Sequence, residues 1–319
     1  MIVVQVISRE MTGVLYVKMG FVYPLIVTLT LLYTGLQASE AYDWGYWGRN
    51  GPENWPGICK TGKRQSPINI VTEDAIRRDL GALKFNRYDF AFPATLFNNG
   101  HSVEVRLDGV PLHLSGGSLS SVYVLEQMHF HWDAEHTVDG LRDPLELHLV
   151  HYNKKYLNLE AAMKFEDGIA VVAVLFKLSA EDNQDLSPIV ETTKIAWHKI
   201  GHMTHIRHKQ IPLKFLPKDH TTYYHYEGSL TTPTCNESVL WFVMTEKLKV
   251  SEAQMNVFRQ VESINGTLKC NNRPTQNLGN RKVYHRLDGY FDDSSSIKPN
   301  ACAVLIVSTL LANLLRGNL

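Results

Sequence analysis

Two short segments alternate polar and apolar side chains with a period of two, and this pattern constrains the fold of the 319-residue chain more than any other feature. They are Gln127-Met128-His129-Phe130-His131-Trp132 and Glu146-Leu147-His148-Leu149-Val150-His151. A β-strand places successive side chains on opposite faces, so His129 and His131 share one face of the first segment with Phe130 turned away, and Glu146 and His148 share one face of the second with Leu147 and Leu149 turned away. The pattern predicts two β-strands.

Strand-like patterns also dominate the rest of the chain. Residues 101–107 alternate apolar and polar side chains, and residues 169–178 form a continuous apolar run that suits a central strand. The best helical candidate is residues 251–263, where Ser251 can cap the first turn and the apolar stripe at 255–261 is typical of packing on a core. These patterns predict a mixed, β-dominated fold with a few short peripheral helices.

Composition and organisation indicate a single domain. From about residue 42 to residue 290 the sequence contains no low-complexity linker, no repeat and no change of composition. Apolar residues make up 44% of the chain, which is enough to bury a sizeable core. Lys and Arg total 32, as do Asp and Glu, so we expect no nucleic-acid partner. Nothing in the sequence indicates an oligomeric state.

The N-terminal end carries a predicted targeting signal. Residues 20–36 are apolar, follow a lysine and precede small residues at 38–41, which predicts a signal peptide within an N-terminal segment of residues 1–41. Met19 is an alternative start. The alternative to a signal peptide is an uncleaved anchor, although Pro24 and several threonines interrupt the apolar run. We therefore expect export from the cytosol.

The C-terminal end predicts a membrane attachment. Small residues at 292–296 offer an attachment site within a spacer of residues 291–300, and the apolar segment 301–319 follows. This order predicts a glycosylphosphatidylinositol (GPI) anchor. A short transmembrane anchor is the alternative, because the spacer is short. Together the two ends predict a protein on the extracellular face of the plasma membrane.

Cysteines and glycosylation signals are consistent with export. The four cysteines are too scattered for a disulfide scaffold, but they allow one disulfide. Cys270 is interpreted as a small buried residue. Sequons for N-glycosylation occur at Asn236 and Asn265.

Three histidines of the two alternating segments can meet at one point. His129 and His131 share one face of the first strand, and His148 joins them if the second strand pairs with it. Three neutral imidazoles with an open fourth position make the catalytic form of a tetrahedral zinc site. Gln127 and Glu146 each lie two residues from a histidine on the same face, where they can hydrogen-bond its other ring nitrogen. The alternative is three ordinary histidines on a partly buried sheet, since a single H-x-H motif is a weak signal.

Several separated motifs strengthen the zinc hypothesis, because they occur together in the order of a known family. They lie at residues 44–46 (WGY), 51–55 (GPENW), 65–70 (QSPINI), 98–101 (NNGH), 135–137 (EHT), 146–151 (ELHLVH), 228–233 (GSLTTP) and 271–274 (NNRP). With them, the chain resembles the α-class carbonic anhydrases along nearly all of residues 42–290. The resemblance implies one catalytic domain with a central, twisted, mostly antiparallel sheet of about ten strands and Zn²⁺ in a conical cleft.

The resemblance also implies a role for each matching residue. His129, His131 and His148 match the zinc ligands. Thr231 matches the hydroxyl that accepts from zinc-bound hydroxide, Glu135 the carboxylate that orients Thr231, and His101 the proton shuttle. The remaining matches are Thr232 for substrate and anion binding, Val150, Val171, Leu230, Val239 and Trp241 for the apolar wall, Tyr46, Asn99 and Gln127 for the wetter side, Asn271 behind the metal, and Cys59 with Cys235 as a disulfide.

The implied function is reversible hydration of carbon dioxide to bicarbonate and a proton by zinc-bound hydroxide. A zinc-free cell-surface binding module is the alternative, which the presence of all three histidines disfavours. A structural zinc site is disfavoured as well, because no fourth protein ligand is evident.

Two further sequence features carry no predicted role in the chemistry. Departures from the family pattern occur at Tyr152, Thr234 and Asn272, none of which is a ligand position. The run His202-x-x-His205-x-x-His208 could hold a second metal on a helix, but it is typical of a solvated surface segment.

Overall fold

A computed structural model of the chain describes residues 44–289. The predicted signal segment 1–41, the spacer 291–300 and the anchor segment 301–319 lie outside the described residues. Within the described part, no helix combines the length and apolarity that crossing a membrane requires.

Short strands make up most of the described chain. They are β1 (Asn69–Ile70), β2 (Ile76–Arg77), β3 (Leu83–Asn86), β4 (Phe92–Asn98), β5 (Val103–Leu107), β6 (His113–Gly116), β7 (Tyr123–His131), β8 (Thr137–Val138), β9 (Leu141–Arg142), β10 (Leu145–Asn153), β11 (Ile169–Ser179), β12 (Met203–Gln210), β13 (Tyr223–Gly228), β14 (Val239–Met244), β15 (Leu248–Ser251), β16 (Glu262–Ser263), β17 (Gly266–Thr267) and β18 (Tyr284–Arg286). The α-helices are α1 (Ile58–Thr61), α2 (Leu159–Ala162), α3 (Ser187–Ala196) and α4 (Glu252–Phe258), and 3₁₀ helices lie at Gly48–Asn50, Pro52–Asn54 and Pro212–Phe215.

One large mixed sheet of thirteen strands organises the domain. Ten strands follow a continuous path in the order β12, β4, β5, β7, β10, β11, β14, β13, β18 and β2, and β3, β6 and β15 attach beside it. Most neighbours are antiparallel, whereas β11 runs parallel to both β14 and β15, and β18 runs parallel to β2. The predicted sheet-dominated fold is confirmed. The expected ten strands correspond to the continuous path and omit the three attached strands.

The two faces of this sheet carry separate groups of buried side chains. Met128 and Phe130 of β7 and Leu147 and Leu149 of β10 belong to the larger apolar core, which includes Phe258 of α4. The alternate residues of the same strands point to the other face, where a smaller apolar cluster packs. Its members on the sheet are Val150, Ile169, Val171, Ala173, Leu175, Tyr224, Tyr226, Val239, Trp241 and Val243.

The predicted helix near residue 251 is present but shorter than expected. Ser251 caps α4, since its side chain accepts from the backbone N–H of Gln254 while the Gln254 side chain accepts from the backbone N–H of Ser251. The helix ends at Phe258, because the chain turns there to bury Val261 and then pairs β16 with β17. The stripe at residues 255–261 lies in the core, as predicted.

The histidine run 202–208 lies at the exposed edge of the sheet. His205 and His208 belong to β12, a strand rather than a helix, and both are exposed, as is His202. Among the described residues, the groups whose ligand atoms meet at one point do not include these three histidines. The surface interpretation of this run is confirmed.

Candidate metal centre

Three histidines of the two central strands meet on the sheet face opposite the larger apolar core. His129 and His131 lie two residues apart on β7, and His148 of β10 is the cross-strand partner of His129. One ring nitrogen from each lies within 4.8 Å of the corresponding nitrogens of the other two. The predicted ligand set is therefore brought together by the register of a single strand pair.

Hydrogen bonds decide which nitrogen of His131 and His148 faces the centre. A neutral imidazole has one N–H and one lone pair, so the partner of one nitrogen determines what the other presents. His131 Nδ1 donates to the backbone carbonyl of Asn271 over 2.8 Å, and a carbonyl can only accept. His148 Nε2 donates to Oε1 of Glu146 over 2.7 Å. His131 therefore presents the lone pair of Nε2, and His148 that of Nδ1.

His129 is oriented in the same way by a residue of its own strand. Its Nδ1 donates to Oε1 of Gln127 over 2.9 Å, which leaves the Nε2 lone pair for the centre. His131 Nε2 is buried and has no hydrogen-bond partner among the described residues. A buried acceptor without a partner costs about 1–3 kcal/mol, and a cation between the three rings would remove that cost. Three imidazole nitrogens and an open fourth position fit Zn²⁺.

Burial keeps the three imidazoles in the form that binds metal. It lowers the pKa of His131 to about 4 and the pKa of His129 well below the ordinary value, with the charges of the neighbouring histidines adding to the effect on His129. Burial also lowers the pKa of His148, against the opposing influence of Glu146. Neutral rings at physiological pH need to lose no proton before a metal binds.

The residues of the centre differ in burial. His131 and His148 are 0% and 1% exposed, whereas His129 and Gln127 are only half-buried. Leu230 and Thr232 are half-buried as well. These four residues are therefore the ones at the centre that keep contact with solvent.

Glu146 is the hub of a buried hydrogen-bond network. Its Oε2 accepts from the backbone N–H groups of Glu135 and His136, each over 2.8 Å, and its Oε1 accepts from the rings of His136 and His148. Burial alone would raise the pKa of Glu146, but the two histidines outweigh it and lower that pKa well below the ordinary range. The ionised carboxylate thus fixes the ring of His148.

A second cluster of acidic and histidine side chains shares His148 with the three-histidine centre. His136, Glu146 and His148 also lie close enough to hold a metal, but their short contacts are the hydrogen bonds of the network. His136 Nε2 continues the network to the Tyr226 hydroxyl at 2.7 Å. No role was predicted for His136 or Tyr226. The position of His136 beside Glu135 in the motif at 135–137 was the only sequence signal for it.

Glu135 and Thr231 lie beside the three rings. Glu135 is fully buried, its Oε1 accepts from the backbone N–H of Arg273 over 2.9 Å, and its Oε2 lies 3.6 Å from His131 Nε2. Burial raises the pKa of Glu135 to about 7, which a hydrogen bond from Thr231 opposes. Oε2 of Glu135 has no other hydrogen-bond partner among the described residues.

The Asn271 side chain ties His101 to the strand of the ligands. Its Nδ2 donates to the backbone carbonyls of His101 and Phe130, and its Oδ1 accepts from the backbone N–H of Trp132 over 2.7 Å. The half-buried ring of His101 stacks on Trp44 with centroids 3.7 Å apart.

A turn before β5 also holds His101. Asn99 accepts from the backbone N–H groups of His101 and Ser102, and this turn makes β5 start at Val103 rather than at residue 101. Tyr46, predicted for the same side of the site, is 9% exposed and its hydroxyl has no hydrogen-bond partner among the described residues.

The residues predicted to form an apolar wall lie together beside the metal centre. Val150, Val171 and Trp241 are successive cross-strand partners, and Val239 and Leu230 pack in the same cluster. The Trp241 ring lies against the His148 ring, with centroids 4.9 Å apart. The sheet therefore places an apolar surface next to one ligand.

The predicted disulfide between Cys59 and Cys235 is confirmed. Cys235 is buried, and its backbone N–H donates to the carbonyl of Thr232 over 2.8 Å. The Cys59 carbonyl accepts from the guanidinium of Arg273, the residue that also holds Glu135. The disulfide therefore braces the Thr232 loop against the segment behind the metal centre.

The third described cysteine and the two sequon asparagines differ in their exposure. Cys270 has a free thiol and is half-buried rather than buried as expected, although burial raises its pKa. Asn265 is exposed in the turn between β16 and β17. Asn236 is half-buried, and its side-chain amide donates to the carbonyl of Met163 over 3.2 Å. Of the two sequon asparagines, Asn265 is therefore the exposed one.

The fold and the site together define a β-sheet protein with an open three-histidine metal centre, the arrangement of catalytic zinc sites. The sequence matches the model of the eukaryotic-type carbonic anhydrase family over residues 50–287. The chain therefore belongs to this zinc-dependent family.

Individual relatives agree with the family match. The chain is 37% identical over 246 residues to a putative carbonic anhydrase 3 of Caenorhabditis elegans, covering 74% of this chain and 93% of that protein. It is 34% identical over 281 residues to carbonic anhydrase 6 of Mus musculus, covering 81% and 85%. It is 34% identical over 264 residues to carbonic anhydrase 3 of Homo sapiens, covering 76% and 98%.

Proposed function

We propose that the chain is an active, zinc-dependent carbonic anhydrase that hydrates carbon dioxide reversibly to bicarbonate and a proton. The observation that carries this proposal is the convergence of three imidazole lone pairs, each directed by a hydrogen bond on the opposite ring nitrogen. Membership of a family whose substrates are carbon dioxide and bicarbonate supports the same reaction.

The three histidines hold the metal. Bound Zn²⁺ would act as a Lewis acid and lower the pKa of water to about 7, a value known from carbonic anhydrase itself. Gln127, Glu146 and the backbone carbonyl of Asn271 keep the rings in place, since partners on the outer nitrogen fix tautomer and direction.

The residues around the open side receive the reactants. Carbon dioxide is linear and apolar, so it rests against the wall formed by Val150, Val171, Leu230, Val239 and Trp241. The Thr231 hydroxyl donates its proton to Glu135. Its oxygen is then left to accept a hydrogen bond from the attacking oxygen nucleophile, which would fix the direction in which that nucleophile approaches carbon dioxide. The backbone N–H of Thr231 and the side chain of Thr232 donate to the bicarbonate anion.

Proton removal is the role of His101. A histidine side chain changes charge near neutral pH, so it can take a proton from the site and pass it to buffer. Its half-buried ring and its stacking on Trp44 hold it between the interior and solvent.

The competing function is a zinc-free binding module on the cell surface. A zinc-free module would not require three imidazole lone pairs directed at one point. In such a module the buried His131 nitrogen, which has no hydrogen-bond partner among the described residues, would only destabilise the fold. The geometry therefore favours the enzyme.

The test is metal analysis and stopped-flow hydration on purified protein. We expect one zinc ion per chain, hydration of carbon dioxide far above the buffer rate, loss of activity when a chelator removes the metal, and recovery on addition of Zn²⁺. Protein that is folded but binds no zinc would contradict the proposal and support the binding module.

The proposal places the enzyme on the extracellular face of the plasma membrane, attached by a GPI anchor. The disulfide supports passage through an oxidising compartment, and the exposed Asn265 offers a glycosylation site there. Phospholipase specific for phosphatidylinositol is expected to release activity from intact cells, and an N-glycosidase is expected to reduce the mass of the wild-type chain but not of N265Q. Activity that stays on the cells after phospholipase treatment would favour the transmembrane alternative.

A further inference from the structure

The strand beside β7 carries a buried carboxylate that has no part in the proposed reaction. Glu104 of β5 is the cross-strand partner of His129, so the two side chains lie on the same face of the sheet. Glu104 is only 7% exposed. Its neighbours Val103 and Val105 point to the opposite face, into the larger apolar core.

A positive charge accompanies this carboxylate on its solvent side. Arg106 lies two residues along β5, on the same face, and its Nε is 2.6 Å from Glu104 Oε1. The side chain of Glu104 is 9% exposed and that of Arg106 is 45% exposed. The ion pair is therefore oriented, with its negative end beside a ligand of the metal centre and its positive end towards solvent.

Stability does not account for this pair. Removing a carboxylate from water costs several kcal/mol, and the attraction within an ion pair offsets that cost only partly. A protein with apolar residues in place of a buried ion pair is therefore often as stable or more stable. The neighbouring positions of β5, Val103 and Val105, are apolar and pack in the larger core, in contrast to Glu104 on the other face. A buried charge next to a metal ligand instead changes the electrostatic potential that an anion meets there.

We propose that Glu104 and Arg106 set the affinity of the metal centre for small anions, a class that includes the bicarbonate product. Glu104 disfavours a bound anion and so speeds its release, while Arg106 attracts anions from solvent and partly neutralises Glu104. This role rests on the proposed function, because it requires a metal in the three-histidine site.

The test uses protein loaded with Co²⁺, whose visible absorption reports binding at the metal without any activity measurement. Thiocyanate is the probe anion, titrated at one fixed pH. E104Q is expected to lower the Kd for thiocyanate roughly three- to tenfold, the size expected for one partly screened charge near the site. R106Q, which leaves Glu104 without its partner, is expected to raise it. The double variant is expected to lie close to the unaltered protein.

Opposite shifts distinguish an electrostatic role from a structural one. If the substitutions only loosened the strand, the Kd for thiocyanate would change in the same direction in both single variants. That result, or no change in either variant, would overturn the inference. The Co²⁺ spectrum would still support the metal centre in both cases. If E104Q does not fold, comparison of R106Q with the double variant isolates the same carboxylate. K214Q breaks a remote ion pair with Asp185 and is expected to leave the Kd unchanged. Absence of a Co²⁺ spectrum in the unaltered protein would overturn the proposed function and this inference together.

Discussion

The two faces of strands β7 and β10 are made by the same two nine-residue segments, yet they obey different rules. On one face, Met128, Phe130, Leu147 and Leu149 are 0–1% exposed and contribute volume to the larger core. On the other face, Gln127, His129, His131, Glu146 and His148 each make a specific hydrogen bond. The apolar face depends on how much space a side chain fills, whereas the metal face depends on where single nitrogen atoms point.

This difference separates the free energy of unfolding from metal binding. Cores tolerate exchanges between apolar residues of similar volume. A lone pair cannot be exchanged in that way, because its direction comes from one partner atom. Substitutions on the two faces should therefore have separable effects.

The largest expected effect is loss of metal from H148A. Removing one of three ligands should weaken Zn²⁺ binding by roughly a thousandfold, because a few ligands share a binding free energy of about 10–16 kcal/mol. Metal analysis and competitive chelator titration measure this change. The exposed His205 of β12 gives the control H205A, which should keep its zinc. An H148A protein with one zinc and full hydration activity would break the comparison.

On the apolar face, L147A should lower stability and spare the chemistry. Deleting most of a fully buried leucine leaves a cavity and should cost about 3 kcal/mol of unfolding free energy. Chemical denaturation measures this cost, while zinc content should stay at that of the wild type. L141A, at a leucine that is 73% exposed, should change stability by less than about 0.5 kcal/mol. Loss of zinc from folded L147A would show that the two faces are coupled.

Q127A tests the same separation from the metal face. Without the acceptor for Nδ1, the ring of His129 loses its fixed direction, and metal affinity should fall roughly 10- to 100-fold. Gln127 is half-buried, so the unfolding free energy of the metal-free protein should barely change. Chelator titration and denaturation of the same samples report both quantities. E126A, at the adjacent exposed residue, is the matched control. Unaltered affinity in Q127A would remove the orienting role.

The smallest effect is expected at His101, which lies outside both strands. H101A should lower kcat about tenfold and leave kcat/KM for carbon dioxide nearly unchanged, because substrate capture precedes proton transfer to buffer. Added imidazole should restore much of kcat, since a diffusing base can take the same proton. H202A, at an exposed histidine, should behave as wild type. Equal falls in both parameters, without rescue by imidazole, would exclude His101 from proton transfer.

The alternating pattern predicted which residues share a face, because strand geometry allows only two directions for a side chain. It also placed Gln127 and Glu146 beside their histidines, since both partners come from the same strand as the ring. The pairing of Cys59 with Cys235, 176 residues apart, came from the family resemblance and not from spacing.

Other features depend on contacts that no local pattern contains. Strands β3, β6 and β15 have four residues each, too few for a periodic signal. Asn271 reaches His131 across 140 residues of sequence. Glu104 alternates with valines as an exposed strand residue would, and only the tertiary structure shows that its face is covered beside the metal centre.

The contacts of Asn271 also set an order in time. The three ligands are synthesised close together, but Asn271, whose carbonyl orients His131 and whose side-chain amide holds His101, follows His131 by 140 residues. At about 5–20 residues per second, that interval is on the order of ten seconds. During it the nascent chain carries three histidines whose lone pairs are not yet all directed. The hydrogen bonds that direct the metal site can therefore be complete only after Asn271 has been synthesised, near the end of the described domain.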